Sequence, residues 1–327
     1  MIIHNLNFDS ELPLIDNTLV TVGMFDGVHL GHRFLLRMLG EESLRQGLTP
    51  VVVTFDNHPR QVLGDASFKM LTTPDERMIL LKECGVENVV LVHFTPTIAQ
   101  LSATQFVEQV LLCRLGMKAL LLGYDNRFGK RSFSTQSEKN DTRGECSCSD
   151  DFDRLSQLGS QRGFAVLQQR EVRLYDKIGV SSTRIRDSLA MGDIGGANAM
   201  LCHHYTISGM VTKGRGVGRT LGVPTANMDC PQEKLLPCDG VYIALATTSD
   251  GKEHKAVVNI GSQPTFGLDK RTIEAHLLNF DGDLYGTVLS LKLCERLRDI
   301  HRYDNAQRLA DRIALDIELA AAYQDEK

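Results

Sequence analysis

The hydrophobic period of the chain changes once, and that change constrains the fold more than any other feature. From residue 18 to residue 191, short apolar runs alternate with amphipathic stretches. Strand-like runs fall at 18–22, 50–55, 88–94, 118–122 and 164–168, with helical patterns at 29–46, 74–84, 102–115, 151–162 and 181–191. The run 50–55 is continuous and β-branched, as a parallel strand covered on both faces requires. Pro74 in a first helical turn, Gly47 and Gly85 after helix ends, and Ser102-Ala-Thr-Gln105 as a capping box punctuate the pattern. Strands separated by helices predict a doubly wound parallel sheet, with its ligand site at the carboxyl ends of the strands.

After residue 203 the pattern is strands alone, at 205–211, 240–247, 255–260, 272–280 and 287–293, divided by Gly, Pro and Asp. That predicts a small antiparallel barrel. A helix over 305–323, with Leu309, Ile313 and Ile317 at i, i+4 spacing, closes the chain. The glycine-rich stretch 190–202 reads as a junction. The expected fold class is therefore α/β plus all-β, with a doubly wound parallel-sheet domain at 1–186 and a barrel domain at 187–327. The polar stretch 130–151 reads as a mobile insertion.

At 327 residues the chain is long for one domain. A net charge of −5 gives no global basic field to recruit nucleic acid. No apolar run approaches the roughly 18 residues of a membrane span, and the first residues lack a signal-peptide pattern. Eight scattered cysteines form no paired C-x2-C set. Free thiols in a reducing cytoplasm are expected, with small molecules as substrates and no protein partner implied.

Gly23-Met-Phe25-Asp26-Gly27-Val-His29-Leu-Gly31-His32 follows the first strand pattern and opens a helix. Two imidazoles three residues apart share a helix face, and the helix N-terminus adds positive potential for a phosphate. Gly31 lets a nucleotide lie close to the backbone. His-x-x-His alone equally describes a structural or zinc-binding pair. Ser181-Ser182-Thr183-Arg184-Ile185-Arg186 supplies hydroxyls and N–H groups for further phosphates at a second helix start. In the later half, Gly214 and Gly216-Val-Gly218-Arg219-Thr-Leu-Gly222-Val-Pro224-Thr225-Ala-Asn227 form a glycine loop that can close on phosphate. Thr225 and Asn227 offer oxygen ligands suited to Mg²⁺. Glu274, in a strand pattern, is the candidate base for a hydroxyl, and His276 lies two residues on, on the same strand face.

The loop with Gly214 resembles the G-x3-G-R-x2-G-x-P-T-A-N signature of riboflavin kinases. Asp239-Gly-Val-Tyr242, Asn259-Ile-Gly261 and Glu274-Ala-His276-Leu follow in the family's order. The His-x-Gly-His and Ser-Ser-Thr-x-Ile-Arg motifs are similar to those of the nucleotidyltransferase superfamily. With Thr54-Phe-Asp-Asn-His58-Pro59 and Gly123-Tyr-Asp125-Asn126-Arg-Phe-Gly129, they resemble the FMN adenylyltransferase module of bacterial FAD synthetases.

The resemblance implies a bifunctional enzyme that uses ATP and Mg²⁺ to turn riboflavin into FMN and FMN into FAD. It implies ATP binding by Gly23, Phe25, Asp26, Gly27, His29, Gly31, His32, Ser182, Thr183 and Arg186, and an FMN side at His58, Pro59, Asp125 and Asn126. In the kinase half it implies phosphate contacts from Gly214, Gly218, Arg219, Gly222, Pro224 and Asn259, and a flavin side at Arg296 and Tyr303. Asn126 stands where the family has an aromatic residue, and 130–151 replaces a short glycine-containing loop. Two other readings stay open at this stage: a kinase with weakened or lost adenylyl transfer, and a catalytically dead flavin- or nucleotide-binding regulator.

Overall fold

The computed structural model describes residues 1–6, 15–62, 64–65, 67–124, 148–174, 178–214, 222–262, 271–301 and 303–325. Asp125, Asn126, Gly218, Arg219 and most of the insertion 130–151 lie outside the described residues. The chain divides into two compact units. A sheet unit holds Met1–Phe68 and Arg77–Gly179, and a barrel unit holds Lys69–Glu76 and Val180–Lys327. The second unit thus takes residues from two separate stretches of chain.

The elements of the first stretch run β1 (Ile2–Leu6), β2 (Thr18–Val22), α1 (Leu30–Gln46), β3 (Thr49–Phe55), α2 (Pro59–Val62), α3 (Pro74–Glu83), β4 (Asn88–Val92) and α4 (Pro96–Gln100). A helical run follows, α5 (Ala103–Phe106), a π-helical turn (Val107–Leu112) and α6 (Cys113–Leu115), then β5 (Met117–Leu122), α7 (Cys148–Arg162), β6 (Ala165–Gln168) and the short pair β7 (Arg173–Leu174) and β8 (Ile178–Gly179). Six strands form a parallel sheet in the order β1-β4-β3-β2-β5-β6. Alternation along each strand sends side chains to opposite faces. Val20, Val22, Val51 and Val53 pack with Phe106, Val110, Leu111 and Leu155 from one helical layer. Leu19, Val52 and Leu121 pack with Leu35, Leu39 and Leu81 from the other. Helices on both faces make this the doubly wound sheet that the alternation predicts. The capping box at Ser102 and Gln105 is present in both directions.

Sequence patterning missed β1, whose Ile2 and Ile3 remain exposed. It also overran β4: His93 and Phe94 leave the strand because Phe94 exchanges two 3.0 Å hydrogen bonds with the Asn57 carboxamide.

The barrel unit contains α8 (Ser182–Met191), α9 (Ile194–Leu201), β9 (Tyr205–Thr212), β10 (Ala226–Asp229), β11 (Gly240–Thr247), β12 (Glu253–Ser262), β13 (Arg271–Leu277), β14 (Val288–Arg298) and α10 (Ala306–Ala322). Its six strands close in the order β10-β13-β12-β11-β14-β9, all antiparallel. Alternate residues of β13, Ile273, Ala275 and Leu277, are buried, so Glu274 and His276 face outward. The glycine-rich stretch read as a junction is helix α9. Asp193 caps it by accepting from Gly196 N at 2.9 Å, and burial of Ile194, Ala197, Met200 and Leu201 outweighs the roughly 1 kcal/mol that each glycine costs a helix. Strand β10, which starts in the last two residues of Pro-Thr-Ala-Asn and runs on to Asp229, was also missed. Strand β13 stops at Leu277, before Asn279 turns left-handed at φ 54°.

Candidate active sites

In the sheet unit, the loop after β2 enters α1 through His29, the helix N-cap, whose Nδ1 accepts from His32 N at 3.4 Å. An accepting Nδ1 leaves Nε2–H as the donor of a neutral ring. The His29 and His32 rings stack 3.6 Å apart at 15°, and Phe25 tilts against His32 with centroids 5.1 Å apart. A Cβ on Gly31 would meet His29 Cε1 at 3.2 Å, so the small residue gives the ring its room. Phe25 and Val28 hold positive φ angles of 49° and 39°, conformations that cost non-glycine residues on the order of 1–3 kcal/mol. Burial of both side chains pins them there.

Among the described residues, His32 Nδ1 is buried without a hydrogen-bond partner. Burial holds the His32 pKa well below its ordinary value, with the neighbouring His29 and Arg77 charges acting in the same direction. Burial thus favours the neutral form of His32 in the free protein.

Of the residues expected to bind ATP here, Gly23, Phe25, Asp26, Gly27, His29, Gly31 and His32 all fall in this loop and helix start; Asp26 is buried. The loop after β3 carries the expected FMN side. His58 Nδ1 accepts from Arg60 N at 3.1 Å, and its ring packs on Phe68 at 4.1 Å. Pro59 begins α2, and Asp56 Oδ2 accepts from His93 Nδ1 at 2.6 Å. Sequence reasoning missed Arg77. It is fully buried, and its guanidinium donates to Met24 O at 2.9 Å and to Phe55 O.

In the barrel unit, Ser181 caps α8 by accepting from Arg184 N. Half-buried Ser182 and exposed Thr183 follow in the first turn, at the end of the helix whose dipole favours anions. Arg186 donates from Nε to Lys69 O at 3.3 Å.

The barrel brings three candidate residues into one line. Glu274 on β13 is the register partner of Asn227 on β10 and of Asn259 on β12. Directly opposed residues in antiparallel strands share a face, so all three half-buried side chains lie on the barrel's outer surface. Gly214 crowds this line: a Cβ there would sit 2.0 Å from Asn227 Nδ2. His276 Nδ1 donates to Pro224 O at 2.8 Å, which ties the signature loop to β13. A cleft of about 590 Å³ is lined by Pro224, Thr225, Ala275, Leu277 and residues 280–285, so that it meets the face of β13 opposite Glu274. Exposed Gly222 turns left-handed at φ 75°. Arg296 Nη2 donates to Asp239 O at 2.7 Å, and Tyr303 is half-buried beyond the end of β14.

A family model for FAD synthetase matches residues 13–184, and one for riboflavin kinase matches residues 201–324. A bifunctional riboflavin kinase/FMN adenylyltransferase from Pseudomonas fluorescens is 33% identical over 98% of this chain and 96% of its own. The chain belongs to this bifunctional family. Members from Escherichia coli K12 and Bacillus subtilis are 33% and 32% identical, over 96% and 94% of this chain and 94% and 92% of theirs. A crystal structure described as a macrolide-efflux protein from Streptococcus pneumoniae has a TM-score of 0.84 and 27% identity, over 99% of this chain and 100% of that one. Among the described residues, no helix of this family member is long and apolar enough to cross a membrane.

Proposed function

We propose that the chain makes FMN and then FAD, with the two steps divided between its halves. Riboflavin and ATP give FMN and ADP at the barrel; FMN and ATP give FAD and pyrophosphate at the histidine loop. The register line Asn227–Glu274–Asn259 carries the reading. It sets a carboxylate between two carboxamides, one of them the last residue of the Pro-Thr-Ala-Asn loop.

In the kinase step, Glu274 accepts the proton of the riboflavin primary hydroxyl as its oxygen attacks the γ-phosphorus of ATP. The bond from that phosphorus to the bridging oxygen breaks, and ADP leaves. Gly214, Gly218, Arg219, Gly222, Pro224 and Asn259 surround the phosphates, and Arg296 and Tyr303 the flavin side. Thr225 and Asn227 form an all-oxygen donor set, which fits a hard cation, and the close approach of Gly214 holds Asn227 in place. Mg²⁺ on these residues would screen the phosphate charge.

In the adenylyl step, a phosphate oxygen of FMN attacks the α-phosphorus of ATP and pyrophosphate leaves. No protein nucleophile is needed, only donors for the growing negative charge. His29 and His32 take that role, with Ser182, Thr183 and Arg186 on the outer phosphates and His58, Pro59, Asp125 and Asn126 on the FMN side. We assign adenylyl transfer to residues 1–186, phosphorylation to residues 187–327, and the protein to the cytoplasm; the free cysteines at 84, 113, 202, 230, 238 and 294 support the last assignment. Product chromatography after incubation with riboflavin, ATP and Mg²⁺ tests the whole reading. FMN followed by FAD is expected. FMN alone would remove the adenylyl step, and no turnover would leave a binding protein.

A further inference from the structure

Arg77 is a buried cation with an unusual set of attachments. Its side chain is fully buried, although arginine is rarely so without a paired charge. One terminal nitrogen donates to Met24 O, in the loop after β2, and the other to Phe55 O, where β3 ends. Its charge is offset by Asp26 from the first loop and Asp56 from the second. Asp56 in turn holds His93, just past β4. The guanidinium therefore bonds the chain just past the carboxyl ends of two neighbouring strands, and Asp56 joins the second of them to His93 past a third, along the edge at which a doubly wound sheet binds its ligand. The Arg77 Nε is buried with no hydrogen-bond partner among the described residues.

Stability alone does not account for this arrangement. Removing a cation from water costs several kcal/mol, and a buried apolar side chain could fill the space more cheaply. What an apolar residue could not supply is positive potential behind the histidine pair, or a planar fork that fixes two loops against each other.

We propose that Arg77 is a positioning residue for adenylyl transfer: it fixes the loop bearing the histidine pair against the loop bearing His58, and adds positive potential behind the transferring phosphate. The inference rests on the placement of adenylyl transfer at His29 and His32. Arg77 touches no substrate; it acts through the Met24 and Phe55 carbonyls and through the field at His32. Its contribution falls on the transition state, where phosphate charge is greatest, and so on kcat more than on KM.

The test compares Arg77→Met, Arg77→Lys and His32→Ala in the full chain. FMN adenylylation is the readout, a circular-dichroism melt of each variant reports on folding of both units, and riboflavin phosphorylation is the control activity. Arg77→Met is expected to lower the adenylylation kcat about tenfold or more, with KM for ATP changed less than threefold and phosphorylation unchanged. Arg77→Lys keeps the charge but loses the fork, and is expected to recover part of that kcat. An Arg77→Met kcat within twofold of the parent, a loss carried by KM alone, or Arg77→Lys no better than Arg77→Met would overturn the proposal. Should Arg77→Met fail to fold, Arg77→Gln takes its place as the uncharged member, with the same criteria. Full adenylylation by His32→Ala would instead overturn the placement of the site. Loss in His32→Ala alone would overturn only the role of Arg77.

Discussion

Lys234 Nζ sits 2.7 Å from Glu76 Oε2, with both side chains buried in the barrel unit. Lys234 also donates to Leu71 O at 2.5 Å and lies 4.4 Å above the Tyr205 ring, and Glu76 Oε1 accepts from Ser208 N at 3.1 Å. Removing one partner strands the other charge. Glu76→Ala is expected to cost about 3–5 kcal/mol. Urea denaturation followed by residual riboflavin phosphorylation measures it, and an unchanged midpoint would show that the pair contributes nothing.

The same pair governs what happens when the barrel is cut free. A fragment from Val180 to Lys327 retains Lys234 and loses Glu76. Lys234→Met is therefore expected to destabilise the full chain and stabilise the fragment. Thermal melting of the four proteins decides it: the same sign of effect in both backgrounds would contradict the account.

Substitutions divide the two activities. Glu274→Gln removes the base and is expected to lower FMN formation about 10²-fold or more, with FAD formation from supplied FMN preserved. His32→Ala is expected to do the reverse. Steady-state assays of each step on each protein suffice. Equal impairment of both steps in a folded variant would show that the roles are misassigned.

The depressed pKa of His32 makes stability depend on pH. In the unfolded chain the imidazole takes up a proton near pH 6.5, while the folded protein holds it neutral until lower pH. Its stabilising contribution is thus complete above about pH 6.5 and is lost as pH falls toward the folded-state pKa, with a slope of at most about 1.4 kcal/mol per unit. Denaturation midpoints from pH 7.5 to 5 should fall less steeply in His32→Gln than in the parent. Parallel slopes would refute the assignment.

Gly214→Ala introduces a Cβ into the space of the Asn227 carboxamide. Displacing that group should lower riboflavin phosphorylation about 10- to 100-fold, as small misplacements at reacting centres do. Adenylylation should be untouched. Wild-type phosphorylation rates would show that Asn227 need not stay where it is.

Local pattern carried much of this structure. Strand β2 spans the five residues that patterning gave, and Ser102 and Gln105 form their capping box. The line Asn227–Glu274–Asn259 was legible as three motif residues, although their register was not, because pairing between distant strands leaves no local period. Helix α9 was hidden by its glycines, which favour loops until tertiary burial decides otherwise. Lys69–Glu76 joins the barrel unit through Met70, which bridges Lys234, and through Glu76; nothing in its composition announces a partner so far along the chain. Arg77 was passed over because an arginine in a charged helix ordinarily faces water, and only the carbonyls of Met24 and Phe55 reveal that this one does not.

The separation of Glu76 from Lys234 also sets a timetable. A ribosome must add 158 residues after Glu76 before Lys234 exists, which at about 5–20 residues per second takes roughly 8–30 s. Throughout that interval the Glu76 carboxylate must stay hydrated, on a stretch of nascent chain whose partner has not been made. Codon changes that slow or speed translation between these two positions should therefore alter the yield of correctly assembled protein more than equal changes elsewhere.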